Sequence, residues 1–154
     1  VGEAAVNRLH KYFHHAKNAL DYGAGSGFLI PYLMSKGIEV SALDFSPDSI
    51  AVINNKLRNS KYFNGAFICE ELISSGKNFD LITLFEVIEH LNDSYLLNTM
   101  NNVKKLLSGR GVAIFTTPND EDLSPKMVYC PESDVIFHRW QHVRSWSRIV
   151  CVTF

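Results

Sequence analysis

The sequence predicts an α/β fold, and three observations carry that expectation. Apolar runs alternate with segments of helical period from one end of the chain to the other. A glycine cluster, Gly23-Ala24-Gly25-Ser26-Gly27, follows a short predicted strand and opens a helix. The run Phe79 to Phe85 is almost continuously apolar, as a parallel strand covered on both faces should be.

Residues 3 to 15 carry Ala4, Ala5, Leu9, Tyr12 and Phe13 at mixed helical spacing and predict a helix ahead of the first strand, Ala19 to Tyr22. Phe28 to Ser35 predicts a helix with Pro31 in its first turn, where a missing N–H costs little, and Gly37 at its close. Ile38 to Leu43 is the second strand. Ser46-Pro47-Asp48 then supplies an N-cap, a first-turn proline and an acid near the positive end of a helix marked by Ile50, Ile53 and Leu57. Ala66 to Ile68 is the third strand and Phe79 to Phe85 the fourth. Leu96, Leu97, Met100, Val103, Leu106 and Leu107 step at three or four residues toward Gly109, which predicts an amphipathic helix with a glycine C-cap. Val112 to Thr116 is the fifth strand. A loop rich in Asp, Pro and Ser (117–131) follows, then an aromatic and basic segment, Phe137 to Trp146, with Ile149 to Phe154 starting a further element.

Composition bounds the function. One hundred and fifty-four residues, 46% hydrophobic and 20% charged, suit one globular domain and exclude disordered, collagen-like and coiled-coil classes. Fifteen Lys and Arg against sixteen Asp and Glu leave a net charge of −1, without the bulk positive charge of a protein that grips nucleic acid or anionic membrane. Every apolar run falls far short of the ~20 residues a membrane span needs, so no membrane insertion is expected. The N-terminus has no secretory pattern, and Cys69, Cys130 and Cys151 are odd in number and unpatterned, which suggests a reducing, cytoplasmic setting. Oligomeric state is not legible.

Three closely spaced glycines after a strand let the backbone turn sharply and approach a nucleotide-like ligand; the plainer alternative is a tight strand-to-helix connection. The dinucleotide fingerprint requires glycine or alanine three positions after its second glycine, and Phe28 stands there, so NAD is disfavoured. Asp21 precedes the turn, and Asp44, at the end of the second strand, can accept from the hydroxyls of an adenosine ribose.

Asp-Tyr-Gly-Ala-Gly-Ser-Gly at 21–27, Leu-Asp-Phe-Ser at 43–46 and Phe-Asp-Leu-Ile-Thr-Leu-Phe-Glu-Val-Ile-Glu-His-Leu at 79–91 together resemble the class I S-adenosylmethionine-dependent methyltransferases. The resemblance spans roughly residues 18 to 119. It implies a Rossmann-like, doubly wound, mostly parallel sheet of seven strands, and S-adenosylmethionine as cofactor. Asp21, Tyr22, Gly23, Ala24, Gly25 and Gly27 would lie at the methionine part. Asp44, with Phe45 beside it, would bind the ribose. Cys69 and Glu70 would lie near the adenine, and Phe85 and Glu86 would face the sulfonium. Many members carry an Asp after strand three, where this chain has Cys69, Glu70 and Glu71. Only five strands are found here, so the last two are expected to be missing from residues 1–154.

Methyl transfer asks mainly for in-line positioning in a dry site, and only a hydroxyl-type acceptor strongly needs a base. His90 and His142 are the candidates, each with a structural histidine as its bland alternative. If a helix begins by Glu86, then Glu86, Glu89 and His90 share one face and could hold a divalent ion with His138 or His142. That set resembles the metal-dependent small-RNA 3′-end 2′-O-methyltransferases; its alternative is a pair of acids meeting backbone N–H groups at a helix start. Phe137 to Trp146, with Arg148 beyond, packs two Trp, two His and two Arg into ten positions and suits either an acceptor-stacking lid or a core-completing cover. Cys130 has no partner at metal spacing.

The expected function is methyl transfer to a small-molecule or a sugar or lipid-precursor acceptor. The alternatives are a metal-assisted RNA 2′-O-methyltransferase, disfavoured by the near-neutral charge, and a non-catalytic cofactor-binding module.

Overall fold

The computed structural model describes residues 3–147 and 151–153. Helix α1 (Glu3–Leu9) passes through a 3-10 turn (His10–Tyr12) into strand β1 (Asn18–Tyr22), shorter than the helix expected over 3–15. Helix α2 (Ile30–Ser35), β2 (Glu39–Leu43), α3 (Pro47–Leu57), β3 (Phe63–Phe67), α4 (Cys69–Ser74) and β4 (Phe79–Phe85) follow. Then come a 3-10 turn (Ile88–His90), α5 (Asp93–Leu106), β5 (Leu107–Thr116), β6 (Met127–Cys130), β7 (Val135–His138) and β8 (Cys151–Thr153).

The main sheet runs β3-β2-β1-β4-β5-β8. Its first five strands are parallel, and β8 joins β5 antiparallel at the edge, within the stretch where a further element was expected. This is the α/β, mostly parallel architecture that the sequence predicts, with six strands in the sheet among the described residues. Side-chain alternation divides the core between the two faces. Ala19, Val40, Ala42, Leu81 and Ile114 pack with Ile30, Leu33, Ile53 and Leu57 of α2 and α3. Leu20, Tyr22, Leu43, Ile82, Leu84, Ala113 and Phe115 pack on the other face with Leu72, Val103 and Leu106 of α4 and α5.

Four boundaries differ from expectation for physical reasons. Strand β3 begins at Phe63 rather than Ala66, pairing with β2 from Val40↔Phe63, a start that Asn64 and Gly65 hide from the apolar pattern; the Asn54 side chain brackets the Ala66 backbone, donating to its carbonyl (3.1 Å) and accepting from its N–H (2.9 Å). Gly109 does not cap α5: the chain turns extended already at Leu107 (φ −77°, ψ 133°), and Gly109 lies inside β5. Helix α4 occupies 69–74, where only a post-strand region was expected. The 117–138 stretch, read as loop and unassigned segment, contains the antiparallel hairpin β6–β7, paired from Met127↔His138 to Cys130↔Val135. Ser46 caps α3 by accepting from the Ser49 N–H, with Pro47 in the first turn, as expected.

Leu81 is fully buried between Ala19 of β1 and Val112 of β5. Leu81→Ala should cost about 2–5 kcal/mol, the transfer and cavity cost of a buried leucine. Urea titration should show this as a lower midpoint with an unchanged slope.

Candidate active site

The glycine turn is held from both sides. Gly23 and Ala24 donate to the Leu43 carbonyl at 2.7 and 3.0 Å, and Gly27 closes back on the Ala24 carbonyl at 2.8 Å. Gly25 N donates to Asp44 Oδ2 at 2.7 Å, and Ser46 N donates to Asp44 Oδ1 at 2.9 Å, so one buried carboxylate ties the turn to the start of α3. Gly23 adopts φ +79° beneath the Val87 side chain, which an added Cβ would strike at 2.7 Å. Gly25 adopts φ +53°, and a Cβ there would meet nothing within 4 Å. The backbone at Gly25 therefore presents open space where the sequence places a ligand.

Beside the turn lies a cleft lined by Asp21, Gly23, Ala24, Phe28, Leu29, Phe85 and Glu86. Phe28 and Leu29 are the residues sequence reasoning left out; an apolar pair directly after the last glycine was their only signal. Asp21 accepts from Thr83 Oγ1 at 3.0 Å. Burial pushes its carboxyl up to about 7, opposed by the Thr83 hydroxyl and reinforced by the neighbouring Asp44 charge. Phe45 is almost fully exposed next to Asp44. Tyr22 turns its side chain away from the cleft into the opposite core, where its hydroxyl meets Cys69 Sγ (3.8 Å) and Asn102 Nδ2 (3.5 Å). Cys69 also accepts from Asn102 at 3.2 Å, and Glu70 is exposed in the first turn of α4.

Strand β4 leaves the sheet through Glu86, a non-glycine residue at φ +56° whose N–H donates to the Thr116 carbonyl (3.0 Å) and whose carboxylate accepts from the Thr116 hydroxyl (2.9 Å). Helix α5 begins only at Asp93, behind an Asn92 cap, so Glu86, Glu89 and His90 do not share a helix face. Glu86 is held at the strand exit instead. Glu89, His90 and His142 nevertheless converge, their candidate ligand atoms lying within 4.8 Å of one another. Glu89 is 1% exposed, and among the described residues its carboxylate oxygens have no partner beyond the residue's own backbone. Burial is the main cause that pushes this carboxyl up to about 7, with the Glu86 charge adding to it and His142 opposing. His90 is held below the usual imidazole range by partial burial and by His142, whose ring stands edge-on at 4.8 Å.

His142 is positioned from several directions. Its ring stacks on His138 (centroids 4.8 Å, 28° between planes), its backbone N–H donates to His138 Nδ1 (3.2 Å), and its Nδ1 contacts the Glu121 carboxylate. The next residue, Val143, donates its N–H to the Glu89 carbonyl at 2.9 Å. Lys126 takes the other Glu121 oxygen at 2.7 Å and lies over the Trp140 ring at 4.5 Å. Glu121, His138 and His142 thus form a second convergent group sharing His142 with the first. Glu121 and Lys126 went unnoticed in the sequence, since an acid in an Asp- and Pro-rich loop has no periodicity to mark it.

The 137–146 segment divides between an exposed aromatic and a core-packed one. Trp140 is half exposed, whereas Trp146 packs on the core and joins the Asn119–Asp120 loop through Asp120 N to its carbonyl at 2.8 Å. Arg144 is engaged by the Leu91 carbonyl (2.7 Å) and Asp93 (2.8 Å). Arg148, and Ile149 and Val150 after it, lie outside the described residues. No described helix is long and apolar enough to cross a membrane.

A family profile described as "Methyltransferase domain" matches residues 3–151. The ubiquinone biosynthesis O-methyltransferase of Coxiella burnetii is 30% identical over 106 residues, covering 67% of this chain and 44% of that protein. The chain thus spans less than half the length of that curated relative. Among solved structures, the PH0226 protein of Pyrococcus horikoshii OT3 superposes with a TM-score of 0.69 at 21% identity, over 96% of this chain and 78% of the other. The methyltransferase domain of bacterial CtHen1 aligns at 26% identity with a TM-score of 0.57, over 77% of this chain and 65% of the other.

Asp21 generates a stability prediction whose sign follows from its raised pKa. The folded chain keeps this proton to about pH 7, whereas the unfolded chain releases it near pH ~4, so the associated stability is complete below about pH 4 and is lost as pH rises toward about 7. Asp21→Asn, which cannot ionise, should lose less stability than the unsubstituted protein across that window, with a gap of about 4 kcal/mol at most by pH ~8. Urea midpoints at stepped pH measure it; parallel curves would mean that Asp21 folds ionised.

Proposed function

The chain belongs to the methyltransferase domain family, and from that premise we propose that it uses S-adenosylmethionine to methylate a hydroxyl oxygen of a small-molecule acceptor. The observation that carries this reading is the convergence of Glu89, His90 and His142 beyond the glycine turn. Amines and thiolates accept a methyl group without help, whereas a hydroxyl must lose a proton, and two imidazoles beside a buried carboxyl suit that task. The name of the Coxiella burnetii relative, an O-methyltransferase of ubiquinone biosynthesis, agrees with a small hydroxylated acceptor.

The residues fit the cofactor. The positive-φ turn with open space at Gly25 admits a close backbone approach, and Phe28 lines the cleft with an exposed ring. In this reading Asp21, Gly23, Ala24, Gly25 and Gly27 hold the methionine part, and Tyr22 contributes its backbone. Asp44 meets the ribose beside Phe45, Cys69 and Glu70 border the adenine, and Phe85 and Glu86 face the sulfonium. When bound, the cofactor supplies an electrophilic methyl group with a good leaving group, so the protein's task is to align the acceptor, exclude water and take one proton. His142 takes that proton, with His90 edge-on beside it. Trp140, half exposed above them, provides a face for the acceptor.

A divalent cation also fits Glu89, His90 and His142, because the two unpartnered Glu89 oxygens are buried donors lacking any other partner in the described structure. Such an ion would supply Lewis acidity to an acceptor hydroxyl. That same convergence favours RNA 2′-O-methylation as a second reading. It is the weaker one, since Lys126 and Arg144, two cations near the cluster, are already engaged by Glu121 and by Asp93. The described cysteines Cys69 and Cys130 are free thiols, which suits a cytoplasmic setting.

Calorimetry should show binding of S-adenosylmethionine and S-adenosylhomocysteine and none of NAD. Gly25→Val should abolish it, and Asp44→Ala should weaken it by about 1–3 kcal/mol, the scale for a lost charged hydrogen bond. NAD binding in place of S-adenosylmethionine, or unchanged affinity in both variants, would sink the cofactor assignment. With hydroxylated acceptors, chelator separates the two roles of His142: loss of methyl transfer that added Mg2+ or Mn2+ restores would make it a cation ligand rather than the base. Turnover indifferent to chelator would leave His142 as the unaided base, and cofactor binding without turnover on any acceptor class would identify a binding module.

A further inference from the structure

We propose that Glu121 is the positioning residue of His142, fixing the imidazole with its proton on Nδ1 so that the Nε2 lone pair is available to the Glu89–His90 side. The inference rests on the functional reading of His142, yet it holds for either role assigned there, since a base and a metal ligand both need that lone pair.

The geometry supplies the reasons. An ionised carboxylate only accepts, so the contact between Glu121 and His142 Nδ1 requires the hydrogen to sit on Nδ1. Glu121 stays ionised because the Lys126 ammonium holds its other oxygen at 2.7 Å. With Lys126 on one oxygen and His142 on the other, Glu121 is occupied on both sides and serves as an orienting group rather than a ligand. Its side chain and that of His142 are only 9% and 10% exposed, so water competes weakly for the contact. His138 completes the mount: its Nδ1 accepts the His142 backbone N–H, and its ring stacks on the His142 ring. The imidazole is therefore fixed at its backbone, its face and one nitrogen, leaving the other nitrogen for chemistry.

The test reads the tautomer directly, by long-range 1H–15N correlation on the full 15N-labelled chain at pH ~8 without metal, where imidazoles are largely neutral. In the unsubstituted protein, His142 should show a protonated Nδ1 and an unprotonated Nε2. Glu121→Gln should keep that pattern, because the amide oxygen still accepts, whereas Glu121→Leu should shift His142 toward the Nε2–H form. Calorimetric titration with Mn2+ should show Glu121→Leu weakened by about 10–100-fold, with Glu121→Gln closer to the unsubstituted protein. An Nε2–H tautomer in the unsubstituted protein overturns the proposal without any variant, and so does a tautomer unmoved by Glu121→Leu. Should the unsubstituted protein take no Mn2+ while the tautomer responds as stated, the positioning role stands and the cation assignment alone fails.

Discussion

The Asp44 carboxylate is the interaction on which the rest of the site depends. Parallel strands end side by side, and the chain must leave each of them through unpaired backbone N–H groups. Asp44 satisfies one such donor from each of two neighbouring exits, Gly25 after β1 and Ser46 after β2. The distance between the glycine turn and the first turn of α3 is thereby set by a single side chain. The positive-φ backbone at Gly25 and the first turn of α3 are held by that clamp. Leu43, the residue before it, accepts from Gly23 and Ala24 and closes the other side.

Around this clamp the protein tolerates two poorly solvated acids. Asp21 and Glu89 are both buried with carboxyls raised to about 7, one beneath the glycine turn and one behind the histidines. Among the described residues neither makes the ion pair that would normally offset such burial. Glu86 adds a third local cost, a left-handed backbone at a residue with a side chain, held by Thr116 through both backbone and hydroxyl. These costs gather at the C-terminal edge of the sheet, while the apolar strand centres at Leu81, Ile82 and Ile114 carry none of them.

The sheet was legible because its signals are local. Even the four residues 19–22, interrupted by Asp21, mark a strand ahead of the glycines, and Ser46-Pro47-Asp48 announces a helix start by capping chemistry alone. The glycine turn and Asp44 were legible for the same reason, since backbone demands dictate them residue by residue. What escaped depends on distant partners. Glu121 acquires meaning only when the chain folds His142 onto it, 21 residues later. The β6–β7 hairpin escaped because strands exposed on most positions lose the burial contrast that alternation reads. Glu86 was legible as a cleft residue, but its position at the strand exit rather than on a helix face was not, because its spacing from Glu89 suits a helix that starts only at Asp93.

The hairpin is tied shut at its base. Arg139 N–H donates to the Lys126 carbonyl, and Asp120 N–H to the Trp146 carbonyl, both at 2.8 Å. Everything from 127 to 138 thus emerges from a closed neck, with Glu121 and Lys126 on one side and His142 on the other. A loop closed at its neck can change length at little entropic cost, roughly 0.6 kcal/mol for each doubling. The hairpin short of His138 can therefore be lengthened, shortened or recoloured while His142, held by His138 and Glu121, stays where it is. The exposed face of the hairpin and the mount of His142 are in that sense separable features of this chain, carried by different residues and free to diverge at different rates.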